Sequence, residues 1–357
     1  MRLYEQILSS KAIVVLGSGG VGKTTTAIGL AILAAKFGRK VGVLSIDPSK
    51  RLAAALGFQP SSELTGIDLS FLGNDVNGSL SAAVVDQKKI FDDIVRRYGK
   101  SKKQVDAILE HPLYQAASGN MSGPIEYMSL AKFADLYEDE SFDLVILDTP
   151  PDNNALDFLA RPNLLAGFID KNIMRWMIKP FAVMGRMGMS RFLSVSEKLM
   201  GGLSKITGVS MLAQFANFLV LMQEVIEGFH SLGGRVLKVL KDKKTRFFLV
   251  VGASEDRMLG VTQFTRQLNE MGYPLASVVA NRCFGEDLLH ELADMPSDHS
   301  HIKHYKKRAI IQKKVLDELS ALALEQKDCQ LYEIEDLVAD IDNKEMFVRY
   351  IDMLAKS

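Results

Sequence analysis

The chain has 357 residues, a formal net charge of zero and 47% hydrophobic residues. This length suits one large domain or a domain with an inserted lobe, and the apolar content supports a sizeable core. The balanced charge argues against bulk attraction to nucleic acid, so no nucleic-acid partner is expected. The two cysteines are far apart and form no C-x-x-C pair, which argues against a disulfide framework, a zinc site or a thiolate metalloid site. With no signal-peptide core and no apolar run of about eighteen residues, we expect a soluble, cytoplasmic protein.

The first predicted strand, Ala12–Leu16, leads into a glycine-rich loop and then a helical pattern from Thr24 to Phe37. Residues 17–24, Gly-Ser-Gly-Gly-Val-Gly-Lys-Thr, fit the phosphate-loop pattern G-x-x-x-x-G-K-[ST]. In such a loop the backbone N–H groups surround phosphate, the lysine reaches the β- and γ-phosphates, and the hydroxyl binds magnesium. We therefore predict a site for a nucleoside triphosphate and Mg²⁺. The predicted contacts are Gly19, Gly20, Val21, Gly22, Lys23 and Thr24.

Further apolar runs alternate with helical patterns, which predicts an α/β fold with a mostly parallel sheet and helices on both faces. The predicted strands are Val41–Ile46, Ile67–Leu72, Leu144–Leu147, Phe247–Val251, Ala276–Ala280 and a weaker one at Leu331–Ile334. Residues Leu80 to Tyr98 are predicted to form one amphipathic surface helix.

Residues 163–240 carry no good strand signal and hold eight of the sixteen methionines. We predict a nucleotide-binding domain formed by residues 1–162 and 241–357, with an inserted all-helical, Met-rich subdomain at 163–240. Flexible, polarizable methionines can form an adaptable surface for apolar partners. Filling an irregular helical core is the alternative, and the sequence leaves both open.

Acidic residues follow two of the predicted strands. Asp148 ends the run that begins at Asp143, where it could orient magnesium through water, as in NTPases with a Walker-B acid. Asp47 ends the run that begins at Val41, where it could orient or deprotonate the attacking water. The alternative for Asp47 is a turn formed with Pro48 that caps the next helix.

Asn281 follows the predicted strand Ala276–Ala280. Its amide carries both a donor and an acceptor, as reading an adenine edge requires. The guanine-reading pattern N-K-x-D is missing, because the Asn-Lys at 343–344 leads to Met346. ATP is therefore favoured over GTP. The basic stretch from Lys303 to Lys314 is interpreted as a solvated helix face, with contact to anionic lipid or an acidic partner as the alternative.

These motifs, in this order and spacing, resemble the family of arsenite-pump and tail-anchored-protein-targeting ATPases, which have a deviant phosphate loop. The segments that carry the resemblance are Gly17–Thr26, Ser45–Leu52, Ser122–Met128, Asp148–Pro151, Ala155–Leu159 and Asn281–Arg282. The resemblance covers essentially the whole chain, and is strongest to bacterial single-domain homologues.

The resemblance implies roles for individual residues. It makes Lys23, Thr24 and Thr25 phosphate and magnesium contacts, with Asp47 as the switch I carboxylate. It makes Asp148 the acidic residue of switch II that lies on the magnesium side of the site. It makes Asn281 the residue that recognises the adenine base. Family members commonly work as dimers with facing nucleotide sites, and couple nucleotide state to a helical lobe that engages an apolar or membrane-bound client.

Three departures from the family pattern are visible. Ser18 stands where a second lysine normally reaches the partner's nucleotide, and such a cation is worth roughly 10³ to 10⁵ in rate in related NTPases. Residues 152–154 are Asp-Asn-Asn rather than the usual Thr-Gly-His. The cysteines that relatives use for zinc or metalloids are absent, so neither zinc nor arsenite transport is expected.

We therefore expect a Mg²⁺-dependent ATPase that acts as a dimeric switch, with hydrolysis slowed by Ser18. The main alternative is a slow or non-hydrolysing ATP-binding adaptor, paired in a heterodimer with a paralogue that carries the lysine. A positioning ATPase on membrane or DNA is a third reading. Peripheral association with a membrane is left open.

Overall fold

The computed structural model describes most of the chain outside the predicted insertion. The described residues are 2–46, 61–73, 76–120, 124–150, 159, 217–253, 258–273, 275–296, 299–326, 328–337 and 343–356. The chain divides into two compact units, one formed by residues 1–85, 132–160 and 238–357 and the other by residues 86–131 and 161–237.

In the described residues of the first unit, an eight-stranded sheet forms the centre. Its strands are β1 Ala12–Gly17, β2 Lys40–Ser45, β3 Thr65–Gly66, β4 Ser79–Val84, β5 Leu144–Asp148, β6 Thr245–Gly252, β7 Leu275–Cys283 and β8 Gln330–Glu335. The order across the sheet is β3-β4-β2-β5-β1-β6-β7-β8. All neighbours are parallel except β3 and β4, which are antiparallel. The predicted α/β fold with a mostly parallel sheet is confirmed.

The helices in the described ranges are α1 Leu3–Ser9, α2 Lys23–Lys36, α3 Gln87–Tyr98, α4 Lys102–Leu109, α5 Pro112–Asn120, α6 Pro124–Glu138, α7 Gln223–Leu240, α8 Met258–Glu270, α9 Glu286–Asp294, α10 Ser300–Glu325 and α11 Lys344–Lys356. All six residues of the central strand β1 are buried. Because successive side chains of a strand point to opposite faces, both faces of the sheet are covered. On one face, α2 packs against β1, β2 and β5, and α11 packs against α2.

The strand predicted over residues 67–72 is wrong. The N–H of Ile67 still donates to the carbonyl of Leu80 at 2.8 Å, but residues 70–72 form a 3₁₀ turn. The carboxylate of Asp68 accepts hydrogen bonds from the Ser70 N–H at 2.9 Å and the Ser70 hydroxyl at 2.8 Å. This local side-chain bonding competes with the sheet ladder and ends the strand.

The single helix predicted from Leu80 to Tyr98 is also wrong in its first part. Residues 79–84 form β4, which pairs with β2 and extends the sheet. Helix α3 begins only after Asp86, whose carboxylate accepts a hydrogen bond from the Lys89 N–H at 3.0 Å. An aspartate N-cap of this kind sets the helix start and separates it from the strand before it.

The described part of the second unit is helical and has its own hydrophobic core. Residues from α3, α4, α5 and α7 contribute to that core, among them Val95, Ile108, Tyr114 and Val225. This unit includes residues 86–131, which the predicted boundaries assign to the nucleotide-binding domain. The helical insertion at 163–240 stays a prediction, because residues 163–216 lie outside the described residues. In the described ranges no helix combines the length and apolarity needed to cross a bilayer.

Candidate nucleotide-binding site

The glycine-rich loop connects β1 to α2 and packs closely against the ends of β6 and β7. Gly17, with φ 149°, lies so near β6 that an added Cβ would be 2.4 Å from the carbonyl oxygen of Val250. Gly22, with φ 95°, lies so near β7 that an added Cβ would be 2.3 Å from Nδ2 of Asn281. Positive φ and close approach together require glycine at these two positions.

Helix α2 begins at Lys23, and its N-terminus is favourable for binding an anion. Its N-cap is Gly22, which has no side chain to cap the helix, and its first turn holds no acidic residue. The first N–H groups of a helix have no acceptor within the helix, and the helix dipole favours negative charge there. Thr24 and Thr25 are partly exposed, and Gly19 and Gly20 are exposed. The end of the helix and the loop therefore form a surface suited to phosphate.

Lys23 curls back over the loop that precedes it. Its ammonium donates to the backbone carbonyl of Ser18 at 2.9 Å, and the residue is only 6% exposed. An ammonium has three donors, and the contact with Ser18 uses one of them. Its predicted role as a phosphate contact stays a prediction.

Asp148 lies at the carboxyl end of β5, between β1 and β2. It is 1% exposed, and in the sheet register it is opposite Val15 on one side and Ser45 on the other. The hydroxyl of Ser45 donates to Oδ2 of Asp148 at 2.8 Å. A hydrogen bond to the ionised form stabilises a buried carboxylate. The structure thus brings Asp148 to the same edge of the sheet at which β1 enters the loop.

Asn281 lies near the end of β7 and is 4% exposed. Its amide nitrogen donates to the carbonyl of Val21, inside the loop, at 2.8 Å. The structure therefore brings Asn281 against the loop itself. Its prediction as the adenine reader stays a prediction.

A second support for the loop comes from the C-terminal helix α11. The hydroxyl of Thr26 donates to the carbonyl of Gly22 at 3.0 Å and lies 2.8 Å from the hydroxyl of Tyr350. Because Thr26 uses its one hydrogen on Gly22, Tyr350 is the donor in the second contact. Burial is the largest influence on Tyr350 and raises its pKa to about 12, so this donor is protonated at neutral pH.

Asp47, residues 152–154 and most of the Met-rich segment lie outside the described residues. The last described residue before Asp47 is Ile46, whose N–H donates to the carbonyl of Asp148 at 3.3 Å.

Ser45 and Tyr350 belong to this site but were not predicted from the sequence. The sequence does contain a feature that points to Ser45, since it is the one polar residue in the apolar run Val41–Ile46 and precedes Asp47 by two positions. No sequence feature points to Tyr350, because its contact with Thr26 joins residues 324 positions apart.

A model of the anion-transporting ATPase family matches residues 10–335 of the chain. The chain belongs to this family. The resemblance to arsenite-pump-type ATPases is thus confirmed, and with it the prediction of an ATPase.

Fungal relatives match nearly the whole length of the chain. The protein named ATPase get3 in Aspergillus terreus is 25% identical over 343 residues, covering 95% of this chain and 88% of the relative. ATPase get3 of Neurospora crassa is 26% identical over 349 residues, covering 98% and 91%. ATPase GET3 of Paracoccidioides lutzii is 26% identical over 343 residues, covering 95% and 88%.

Proposed function

We propose that this chain binds ATP with Mg²⁺ at the loop 17–24, hydrolyses it, and acts as a dimeric switch. The observation that carries the proposal is the loop itself. Two of its glycines have positive φ and press against neighbouring strands, and Lys23 folds over it at the sheet edge that holds Asp148.

The residues present fit a nucleotide with magnesium. The loop is packed so closely against β6 and β7 that a side chain at Gly17 or Gly22 would collide with Val250 or Asn281, which fits a loop shaped by its backbone. Magnesium prefers hard oxygen ligands, and the hydroxyl of Thr24 and the carboxylate of Asp148, partly through water, supply that chemistry. When bound, the ion would neutralise part of the phosphate charge.

The chain's own residues would do the positioning. Backbone N–H groups from Gly19 to Thr25 would hold the phosphates, and Lys23 would balance charge on the β- and γ-phosphates. We propose Asp47 as the carboxylate that orients the attacking water. In phosphoryl transfer, positioning and charge neutralisation provide most of the catalysis.

The test compares Lys23→Ala with Lys303→Ala, which removes an exposed lysine of α10. The wild-type protein and the Lys303 variant should release phosphate from ATP, and saturating MgATP should protect both against heat. A ligand at 100 times its Kd stabilises the folded state by about 2.7 kcal/mol. Lys23→Ala should lose this protection, and full protection in that variant would contradict the proposal.

A slow or non-hydrolysing adaptor is the second candidate, and Ser18 is the observation that favours it. Such a subunit would bind ATP and receive the missing lysine from a paralogue in a heterodimer. Single-turnover hydrolysis by the wild-type chain and by Ser18→Lys separates the two candidates. Turnover by the unaided wild-type chain supports the enzyme, whereas binding without turnover supports the adaptor.

We also propose that the region 163–240, which the sequence predicts to be helical, engages an apolar or membrane-protein client, in the cytoplasm or at the membrane surface. The dimer would be a homodimer or the heterodimer described above. Sedimentation of the pure chain with and without a non-hydrolysable ATP analogue tests the homodimer. A monomer under both conditions would exclude it.

A further inference from the structure

We propose that Asn281 is a positioning residue of the phosphate loop, which it holds through the carbonyl of Val21. The inference rests on the proposed function, because it concerns the loop of that same site. It gives Asn281 a role separate from reading the base of the nucleotide.

The contact is buried and made by a side chain distant in sequence. Asn281 is 4% exposed, and its Nδ2 donates to the carbonyl of Val21 at 2.8 Å across 260 positions of sequence. The same nitrogen would be 2.3 Å from a Cβ at Gly22. The amide therefore lies directly against the peptide that joins Val21 to Gly22.

Holding this carbonyl also orients an N–H group. A trans peptide is planar, and its C=O and N–H point in opposite directions. With the carbonyl of Val21 held by Asn281, the N–H of Gly22 points away from Asn281. In a phosphate loop the N–H groups are the ones that face the ligand. Asn281 thus aims one of these donors without touching the phosphate.

The local structure of β7 supports this role. Asn281 pairs with Ile334 of β8 and Cys283 pairs with Glu335, so Arg282 is an extra residue in β7. Arg282 has φ 62°, which is uncommon for a residue other than glycine. Bulges re-aim side chains, and unusual backbone conformations cluster at functional sites. The bulge lies directly after the residue that reaches the loop.

Base reading and loop positioning predict different ligand dependence. Tripolyphosphate carries the phosphates of ATP but no base. A residue that only reads adenine affects ATP and leaves tripolyphosphate binding unchanged. A residue that positions the loop affects both ligands.

The experiment measures binding of MgATP, MgGTP and magnesium tripolyphosphate by calorimetry. The variants are Asn281→Leu, which keeps most of the volume but has no donor, and Asn281→Ala, which leaves room for a water to bond with the Val21 carbonyl. The control is Asn269→Leu, which removes an exposed amide that donates to Gln326. Hydrogen exchange of the peptide covering residues 17–26, without ligand, gives a second readout.

We expect Asn281→Leu to weaken tripolyphosphate and ATP alike by about tenfold, and Asn281→Ala to weaken both by less. The ratio of ATP to GTP affinity should be unchanged, and residues 17–26 should exchange faster in both variants than in the control. Unchanged tripolyphosphate affinity in either variant, or unchanged exchange in the loop, overturns the inference. If the wild-type protein binds none of the ligands, the proposed function fails instead. The Ala variant keeps the test available if the Leu variant does not fold.

Discussion

Replacing Gly22 by alanine should damage the loop more than the same change at Gly20. Both glycines have positive φ, 95° at Gly22 and 76° at Gly20, and left-handed backbone costs an L-residue about 1–2 kcal/mol. At Gly22 the new Cβ would also lie 2.3 Å from Nδ2 of Asn281, whereas at Gly20 it would have no neighbour within 4 Å among the described residues. The collision at Gly22 breaks the hydrogen bond from Asn281 to Val21, which is worth about 1 kcal/mol more.

These terms give expected losses of MgATP affinity of about 5- to 30-fold for Gly20→Ala and about 30- to 150-fold for Gly22→Ala. Calorimetric titration of both variants measures the difference, and ligand-free thermal unfolding shows whether the fold is kept. The double variant Gly22→Ala with Asn281→Ala should lose less MgATP binding free energy than the two single variants lose together, because the two residues are in contact. Equal losses at the two glycines would refute the argument from packing.

Four further predictions concern residues around the site and in the core. Ser45→Ala removes a donor to the buried carboxylate of Asp148 and should lower the free energy of unfolding in urea by about 1.5–3 kcal/mol. Tyr350→Phe removes a buried hydroxyl donor and should lower the free energy of unfolding in urea by about 1 kcal/mol. Burial raises the pKa of Cys283 to about 12 and that of Cys329 to about 11, above the ordinary value of 9.0. Both thiols should resist an aromatic disulfide reagent at pH 8 until the chain is unfolded. Because an unfolded chain would release these protons first, stability should fall as pH rises from about 9 towards 12.

The parts of the site formed by adjacent residues could be predicted from sequence. The strand, loop and helix from Ala12 to Phe37 form one continuous pattern, and Asp148 ends an apolar strand, so both signals are local. The strand predicted over 67–72 failed because hydrogen bonds from Ser70 to Asp68 end the ladder there. Apolar spacing alone could not show this, since it carries no information about side-chain bonds to the backbone.

The parts formed by distant residues could not be predicted in the same way. Asn281 reaches Val21 because β7 lies beside β6, and β6 lies beside β1, from which the loop starts. Ser45 reaches Asp148 because β2 and β5 are neighbours in exact register. The order of parallel strands is decided by helix packing across the whole sheet, so no short segment encodes either contact.

The contact between Lys23 and Ser18 decides how a lysine at position 18 would act. Lys23 bonds to the backbone carbonyl of Ser18, so this contact does not depend on which side chain stands at position 18. Ser18→Lys therefore adds a cation to the loop and leaves the Lys23 contact available. Position 18 is partly exposed, so the added ammonium keeps access to water and costs little desolvation. Faster turnover by Ser18→Lys than by the wild-type chain, at equal ATP affinity, would thus arise from the new charge rather than from a repaired loop.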